Sequence, residues 1–248
     1  SVLLVSPEQG GHYASKQMAE SVGLEVDFIA GYDEHNVDFD KLRGQLMDKQ
    51  YKLIYIDQSN CLFPIDIQQL CKIVREVSPK TLVHVDASHW LGLIFGGVID
   101  NPIKVGADSF GGTTHKTFPG PQRAVFCTND INLHKNFADS QFYMISSHHF
   151  GSVISLAISL MEFQDNNGLL YAEQIIKNSK KLAALLDQRG YDVKGKKYGF
   201  TSGHQIWLSS NNLGIDSYDA GRLLFESGIR VNSFDELPGS VESILRIG

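Results

Sequence analysis

Along its first half, the chain alternates short runs of β-branched and aliphatic residues with longer stretches of helical period, and this alternation limits the possible folds more than any other feature. It is typical of βαβ units, which build a mainly parallel sheet covered by helices on both faces. The predicted strands are Val2–Val5, Val26–Phe28, Leu53–Ile56, Thr81–Val85, Ser109–Gly111 and Ala124–Cys127. The predicted helices are Ser15–Ser21, Phe39–Lys49 and Ile65–Val77. We therefore predict a three-layer α/β fold.

The second half of the chain is organised differently. From about Ser152 to Arg189, Leu, Ile and Ala recur at helical spacing, which predicts one or two long amphipathic helices. Beyond Gly190, apolar segments at Tyr191–Val193, His204–Leu208 and Ile229–Val231 surround a predicted helix at Ser217–Ser227, as in a small α+β layer. We predict a large domain over residues 1–155, connecting helices over 156–190 and part of a small C-terminal domain over 191–248.

Composition excludes several classes of function. Of the 248 residues, 42% are hydrophobic, and the formal net charge is -6. Such a chain can form a large core but offers no basic stripe for nucleic acid or for an anionic membrane. No apolar run reaches the roughly 18 residues of a membrane span. Cys61, Cys71 and Cys127 lack C-x-x-C spacing, so we expect buried free thiols, no metal site and a cytoplasmic protein that acts on a small molecule.

The segment Gly111–Thr117 carries the most chemical information. It follows a predicted strand and leads into the turn-forming residues Phe118–Pro121. Small and hydroxyl residues around Lys116 can cradle an anionic cofactor, and burial would lower the pKa of its amine and let it act as imine partner and base. A lysine in a polar turn is also common without any function, and this segment alone does not decide between the two interpretations.

Polar side chains follow other predicted strands as well. Asp86 ends an apolar strand, where ligands bind in open α/β sheets, although aspartate is also a common helix N-cap there. Gly10-Gly11-His12 follows the first strand, and its glycines would let the backbone approach a ring or a phosphate; an isolated turn histidine is more often a surface residue. Five polar residues each lie shortly after a predicted strand: His12, Ser59, Asp86, His89 and Lys116. Their occurrence in this order along the chain favours one common site.

These motifs carry a resemblance to a known family. Val85-Asp86-Ala87-Ser88-His89, followed by Thr113-Thr114-His115-Lys116-Thr117 and Gly120-Pro121, resembles serine hydroxymethyltransferase and its relatives. The similarity continues through Gly10-Gly11-His12 and Ile244–Gly248 and so covers essentially the whole chain. The resemblance implies the fold of the aspartate-aminotransferase-like enzymes that use pyridoxal 5′-phosphate (PLP): a mainly parallel large domain and the start of a small α+β C-terminal domain.

The resemblance also implies how the cofactor is held. Lys116 would bind PLP covalently, Asp86 would hold the pyridine nitrogen so that the ring stays protonated and acts as an electron sink, and His12 would stack on the ring. Ser59 and His89 would contact the ring oxygen and the reacting centre. The implied catalytic residues are Lys116, His12, His89 and His115.

Further residues complete the implied site. Thr113 and His115 would line the cofactor near the lysine, and Arg246 would bind the substrate carboxylate with its planar guanidinium. Ser147 and His148 lie in a loop that, in the family, reaches across a dimer interface toward the neighbouring subunit's phosphate. We therefore expect a homodimer with shared active sites. The family's phosphate-binding Ser-Gly turn and its N-terminal arm would precede Ser1, so we expect a piece of a longer polypeptide.

The implied reaction makes or breaks the Cα–Cβ bond of a small β-hydroxy amino acid, with serine, threonine or glycine and an aldehyde as substrates. Three departures from the family put tetrahydrofolate binding in doubt: Tyr13–Lys16 replaces a Leu-x-His-Gly pattern, Ser233-Phe234 replaces a Lys-Asn pair, and Gln122–Ala124 departs from a Gly-Pro-Arg-Gly-Gly segment. We predict a folate-independent aldolase or transaldolase. A tetrahydrofolate-dependent serine hydroxymethyltransferase and a catalytically inactive subunit stay open as alternatives.

Overall fold

The computed structural model of the protein describes residues 1–31, 33, 35–239 and 243–248. Its first half contains a six-stranded sheet in the order β2-β1-β3-β4-β5-β6. The strands are β1 (Val2–Leu4), β2 (Val26–Phe28), β3 (Leu53–Asp57), β4 (Leu82–Asp86), β5 (Ser109–Thr113) and β6 (Ala124–Thr128). Neighbours from β2 to β5 are parallel, and β6 alone among these six strands pairs antiparallel, with β5. The predicted α/β class and mainly parallel sheet are confirmed.

Helices connect the strands and continue beyond them. They are α1 (Ser15–Ser21), α2 (Phe39–Asp48), α3 (Ile67–Val77), α4 (Leu91–Phe95), α5 (Ile131–Met144), α6 (Phe150–Asp165), α7 (Gly168–Gln188) and α8 (Ser217–Glu226). Before α2, α3, α5 and α8, an aspartate carboxylate accepts a backbone N–H of the first turn and so caps the helix. The cap Asp66 explains why α3 begins at Ile67 and not at Ile65.

The stretch predicted as one or two long helices forms two. The chain turns at Asn167, which adopts the left-handed conformation (φ 59°) and whose side chain accepts from the Leu170 N–H at the start of α7. The helix α5 was not predicted, although Asp130 caps it in the same way as the aspartates before the predicted helices.

Burial explains the apolar character of the central strands. Ile54 and Ile56 of β3 and Val83 of β4 are inaccessible to solvent and share one core with Leu42 of α2 and Leu70 of α3. Cys61 and Cys71 lie in the same core as free thiols, whereas Cys127 is only half-buried, contrary to the expectation. In the part of the chain that the structure describes, no helix is long and apolar enough to cross a membrane.

A small antiparallel sheet follows α7. It contains β7 (Ile206–Ser209), β8 (Asn232–Phe234) and β9 (Ile244–Ile247) in the order β7-β9-β8. The segment Ile229–Val231 precedes β8 instead of forming it, and Tyr191–Val193 contributes only a single bridge from Val193 to Leu208. The predicted small α+β layer is present, with these shifted bounds; the domain boundaries at 155 and 190 stay predictions.

Candidate active site

Two aspartates end neighbouring parallel strands side by side. Asp57 of β3 pairs in register with Asp86 of β4, at the carboxyl edge of the sheet. The Asp86 carboxylate accepts from the Tyr55 hydroxyl at 2.8 Å and from the Ser88 backbone N–H and hydroxyl at 2.9 and 2.5 Å. Because α4 begins only at Leu91 and has no side-chain cap, the N-cap interpretation of Asp86 is wrong. Asp86 is a carboxylate held at a strand end.

Asp57, which was not among the predicted site residues, organises the loop that carries His12. Its buried carboxylate accepts from the His12 backbone N–H at 3.1 Å and from the hydroxyls of Ser15 and Ser59 at 2.6 and 2.8 Å. The Ser59 hydroxyl is therefore directed at Asp57. Asp57 joins β3, the His12 loop and α1 in one hydrogen-bonded unit.

The two glycines before His12 serve packing within the chain. Gly10 is left-handed (φ +94°), and a Cβ there would lie 2.2 Å from the Asn60 carbonyl oxygen. A Cβ on Gly11 would lie 2.1 Å from the Val5 carbonyl oxygen. The expected close approach of this backbone is thus to neighbouring protein backbone, and it brings half-buried His12 beside Asp57.

A cavity of about 510 Å³ lies between the end of the large sheet and the small sheet. Its polar lining includes His89, His115, Lys116, His204, Gln205 and Arg246. The structure thus brings four predicted residues, Lys116, His89, His115 and Arg246, to one cavity, although Arg246 is 130 positions from Lys116 in the sequence.

Lys116 reaches into this cavity from the turn after β5. Its Nζ lies 3.2 Å from His89 Nε2. Partial burial is the main cause that lowers the pKa of Lys116 from its usual value; the charge of Asp86 opposes this, and that of Arg246 adds to it. A lysine with a lowered pKa supplies more uncharged amine at neutral pH, and the uncharged amine is the form that can attack a carbonyl carbon.

His89 is almost completely buried and stacks on a second histidine. Its ring is parallel to that of His204 (centroids 5.3 Å apart), and its Nδ1 lies 3.1 Å from His204 Nε2. Burial, followed by the charge of Lys116, lowers the pKa of His89 to about 2. Burial, followed by the charge of Arg246, lowers the pKa of His204 to about 4. Both rings are neutral at physiological pH.

Arg246 of β9 is held in a fixed orientation. Its guanidinium donates to the side-chain oxygens of Asn60 and Asn232, the latter at 3.3 Å, and lies 4.9 Å from the centroid of the Phe234 ring. Burial lowers the pKa of Arg246. Since a guanidinium has five N–H donors, these contacts leave donors for a ligand.

The remaining predicted residues differ in their relation to the cavity. His115 is exposed at the cavity. Thr113 Oγ1 is buried and has no hydrogen-bond partner among the described residues. Ser147 and His148 are exposed in the connection from α5 to α6 and do not line the cavity. The roles that the resemblance implies for these residues stay predictions.

Five further residues contribute to the site and were not predicted from the sequence: Asp57, Asn60, His204, Gln205 and Asn232. Only Asp57 had a recognisable signal, because it ends a predicted strand as Asp86 does. His204 and Gln205 belong to the segment interpreted as a strand of the small layer, 115 and 116 positions from His89. Their proximity to His89 depends on the fold.

Comparison with known proteins places the chain in a family. The model of the family described as serine hydroxymethyltransferase matches residues 8–248. The chain belongs to the serine hydroxymethyltransferase family. The predicted resemblance is confirmed, and with it the PLP-transferase fold.

Within the serine hydroxymethyltransferase family, two kinds of relative are similar to the chain. An L-threonine:uridine-5′-aldehyde transaldolase of an Amycolatopsis species is 38% identical over 100% of the chain and 60% of its own length. A serine hydroxymethyltransferase of Sulfolobus acidocaldarius is 36% identical over 85% of the chain and 49% of its own length.

A solved structure supports the same fold. The crystal structure of L-threonine transaldolase from Pseudomonas fluorescens in internal aldimine state superimposes with a TM-score of 0.84 at 28% identity, over 100% of this chain and 56% of that one. The chain thus spans about half to three fifths of the length of these relatives.

Proposed function

We propose that the protein containing this chain is a PLP-dependent, folate-independent transaldolase that cleaves the Cα–Cβ bond of threonine and transfers the glycyl unit to an aldehyde. The observation that carries the proposal is the Lys116 amine, 3.2 Å from a buried neutral His89, in one cavity with the oriented Arg246. The similarity to transaldolases, which extends over the whole of this chain and about three fifths of theirs, supports the same reaction.

The residues at the site fit PLP. Thr113, three positions before Lys116, has a buried hydroxyl without a partner among the described residues, and a polar ligand that reached this hydroxyl would satisfy it. Lys116 would bind the cofactor covalently, Asp86 would hold the pyridine nitrogen, and His12, Ser59 and His89 would contact the ring. When bound, PLP supplies delocalisation for the electron pair left at Cα. The tyrosine contact holds the Asp86 carboxylate in place, and each carboxylate oxygen retains capacity for a further bond.

Arg246 would orient the substrate. Its remaining donors can receive a carboxylate in the bidentate manner that suits a planar guanidinium, while Asn60 and Asn232 prevent its rotation. A carboxylate bound there would place the Cα of an amino acid in the cavity that contains Lys116 and His89. We propose that His115, exposed at the same cavity, contacts the substrate or the cofactor.

Two side chains near Arg246 support independence from folate. The family's Lys-Asn pair corresponds to Ser233-Phe234 in this chain. The Ser233 hydroxyl donates to the Ser217 carbonyl at 2.7 Å, and the Phe234 ring lies over the Arg246 guanidinium. Neither side chain offers an amide to a pterin. The tetrahydrofolate-dependent hydroxymethyltransferase is the second candidate, favoured by relatives of that name.

We also propose a cytoplasmic homodimer that shares its active sites and needs neither nucleic acid nor a membrane. Its interface would include the end of α5 and the start of α6, where Phe142, Tyr143, Met144 and Phe150 are 74–84% exposed. So many adjacent exposed apolar side chains are typical of a surface that another chain covers. Ser147 and His148 lie within this segment, which suits the proposed contact with a neighbouring subunit.

The deciding experiment measures turnover of the whole protein with added PLP on L-threonine and L-serine, with and without an acceptor aldehyde and tetrahydrofolate. We expect acetaldehyde from threonine without folate, and a new β-hydroxy amino acid when the acceptor is present. Serine cleavage that requires folate would establish the hydroxymethyltransferase instead. No turnover in any mixture would favour the inactive subunit.

Lys116→Ala tests the cofactor assignment separately. The variant should lose the visible imine absorbance of the PLP-loaded protein, because Lys116 is the one lysine that lines the cavity among the described residues. The matched control is Lys104→Ala, which removes an exposed lysine outside the cavity and should leave the band unchanged. An unchanged band in Lys116→Ala would contradict the assignment.

A further inference from the structure

Gln205 connects the small sheet to the Lys116 cavity through a buried amide. The residue is 2% exposed. Its Nε2 lies 2.7 Å from the Ser59 carbonyl oxygen and 3.2 Å from His89 Nδ1. Its Oε1 accepts from the Trp207 indole N–H at 3.1 Å.

The partners of this amide define its orientation. An indole nitrogen can only donate, so the atom facing Trp207 is the amide oxygen. A backbone carbonyl can only accept, so the atom facing Ser59 is the amide NH₂ group. An exchange of oxygen and nitrogen would bring two donors together at Trp207 and two acceptors together at Ser59.

This orientation determines the tautomer of His89. The second N–H of the Gln205 amide faces His89 Nδ1, which must therefore accept. A neutral imidazole carries a single proton, so the proton of His89 is on Nε2, the atom 3.2 Å from Lys116 Nζ. His204 Nε2 also lies 3.1 Å from Nδ1; because an unprotonated ring nitrogen has one lone pair, a proton on His204 Nε2 would share that lone pair with the Gln205 amide.

We propose that Gln205, oriented by Trp207, is a positioning residue that keeps the His89 proton on Nε2, so that His89 donates to Lys116 and favours its uncharged amine. This inference rests on the proposed function, because it takes Lys116 to be the lysine that binds the cofactor. It adds a residue directly before β7 of the small sheet that controls the availability of that amine before any cofactor binds.

Other charged groups act on the same pair. Lys116, His204, Arg246 and His12 face His89 and disfavour a second proton on its ring. Asp86 and Asp57 face Lys116 and favour its ammonium form, while Arg246 disfavours it. Donation from His89 Nε2 opposes the two carboxylates, because an ammonium group cannot accept a hydrogen bond.

The test compares Gln205→Glu, Gln205→Met and the control Gln69→Glu in the whole protein without cofactor. Gln69 is exposed on α3, so its replacement adds the same charge away from the site. In ¹⁵N-histidine-labelled protein, His89 of the wild type and of Gln69→Glu should show a protonated Nε2 and an unprotonated Nδ1. Signals are assigned to His89 by their loss in His89→Asn.

Gln205→Glu should move the proton to Nδ1, since a carboxylate can only accept. Lys116 then faces an accepting Nε2, and the pH midpoint for its acylation by a small anhydride should rise by about one unit, a roughly tenfold loss of uncharged amine at a given pH. Gln205→Met has no added charge; it should give a mixture of tautomers and a smaller rise in the same direction. This separates the tautomer effect from simple attraction by a new carboxylate.

A protonated Nδ1 in the wild type would overturn the proposal. Gln205 variants that kept both the wild-type tautomer of His89 and the wild-type pH midpoint of Lys116 would also overturn it. A midpoint that shifted only in Gln205→Glu would do the same. Trp207→Phe provides a further variant in which Gln205 remains but its amide can turn, and we expect mixed tautomers there. Failure of the proposed function is distinguishable: the NMR result would stand while PLP gave no imine absorbance with the wild type.

Discussion

Acidification should destabilise the protein through the buried pair His89–His204, and His204→Gln should remove half of this effect. Histidine in an unfolded chain has a pKa near 6.5, whereas the pKa of His204 in the folded protein is lowered to about 4 by burial and then by Arg246. Because the folded value is the lower one, the unfolded state binds the proton first as the pH falls. Folding therefore has its full stability above pH 6.5 and loses it progressively toward pH 4.

The magnitude follows from the difference between the two pKa values. At pH 5 His204 is protonated in the unfolded state but not in the folded state. Since pH 5 lies 1.5 units below the pKa of the unfolded state, the free energy of unfolding falls by about 2 kcal/mol. The contribution of His89 is present in both proteins and cancels in the comparison. Between pH 7.5 and pH 5 the wild type should lose about 2 kcal/mol more free energy of unfolding than His204→Gln.

Urea unfolding of the cofactor-free whole protein at the two pH values measures this difference. Glutamine keeps an N–H donor for His89 Nδ1, so the variant should fold at pH 7.5. The matched control is His134→Gln, because His134 is exposed on α5. If wild type and His204→Gln lost equal free energy on acidification, His204 would not be buried in its neutral form, and the inference about its environment would be refuted.

Two further substitutions test the neighbouring groups. Arg246→Lys retains the charge but loses the planar fork, so KM for the amino acid should rise roughly tenfold or more, while the exposed Arg230→Lys should leave KM unchanged. Asp57→Ala leaves three donors without their acceptor, so the free energy of unfolding should fall by about 3 kcal/mol, roughly 1 kcal/mol per donor. Asp27→Ala, which removes an exposed ion pair with Lys49, should cost clearly less in the same denaturation assay, and an equal loss would contradict the role assigned to Asp57.

The large sheet was predictable because its strands are local. Each of the runs Val2–Val5, Leu53–Ile56 and Thr81–Val85 is apolar enough to be buried, and the bounds of each strand in the large sheet agree with the prediction to within two residues. The helix α5 was missed because its apolar residues form no regular stripe and none of its side chains is buried among the described residues. The shift from Ile229–Val231 to β8 (Asn232–Phe234) has a similar origin, since pairing with β9 and not composition selects the strand.

The candidate site was predictable only in part. Asp86 and Lys116 follow strands that are neighbours in the chain and in the sheet, so their proximity follows from local pattern and the geometry of a parallel sheet. The association of Arg246 with this site came from the family resemblance. His204 and Gln205 carry no local signal, because the first is an isolated histidine and the second an amide within a strand-like segment.

The α/β class, the family and the predicted site residues Lys116 and Asp86 could be inferred from the sequence alone, because periodicity, turn residues and motifs are properties of neighbouring positions. The tertiary structure was needed to show which atoms of His89 face Lys116 and Gln205, and that both histidines are neutral. Gln205 and His89 are more than a hundred positions apart in the chain, so their hydrogen bond forms only when the two sheets pack together. The same packing causes the burial that shifts the pKa values.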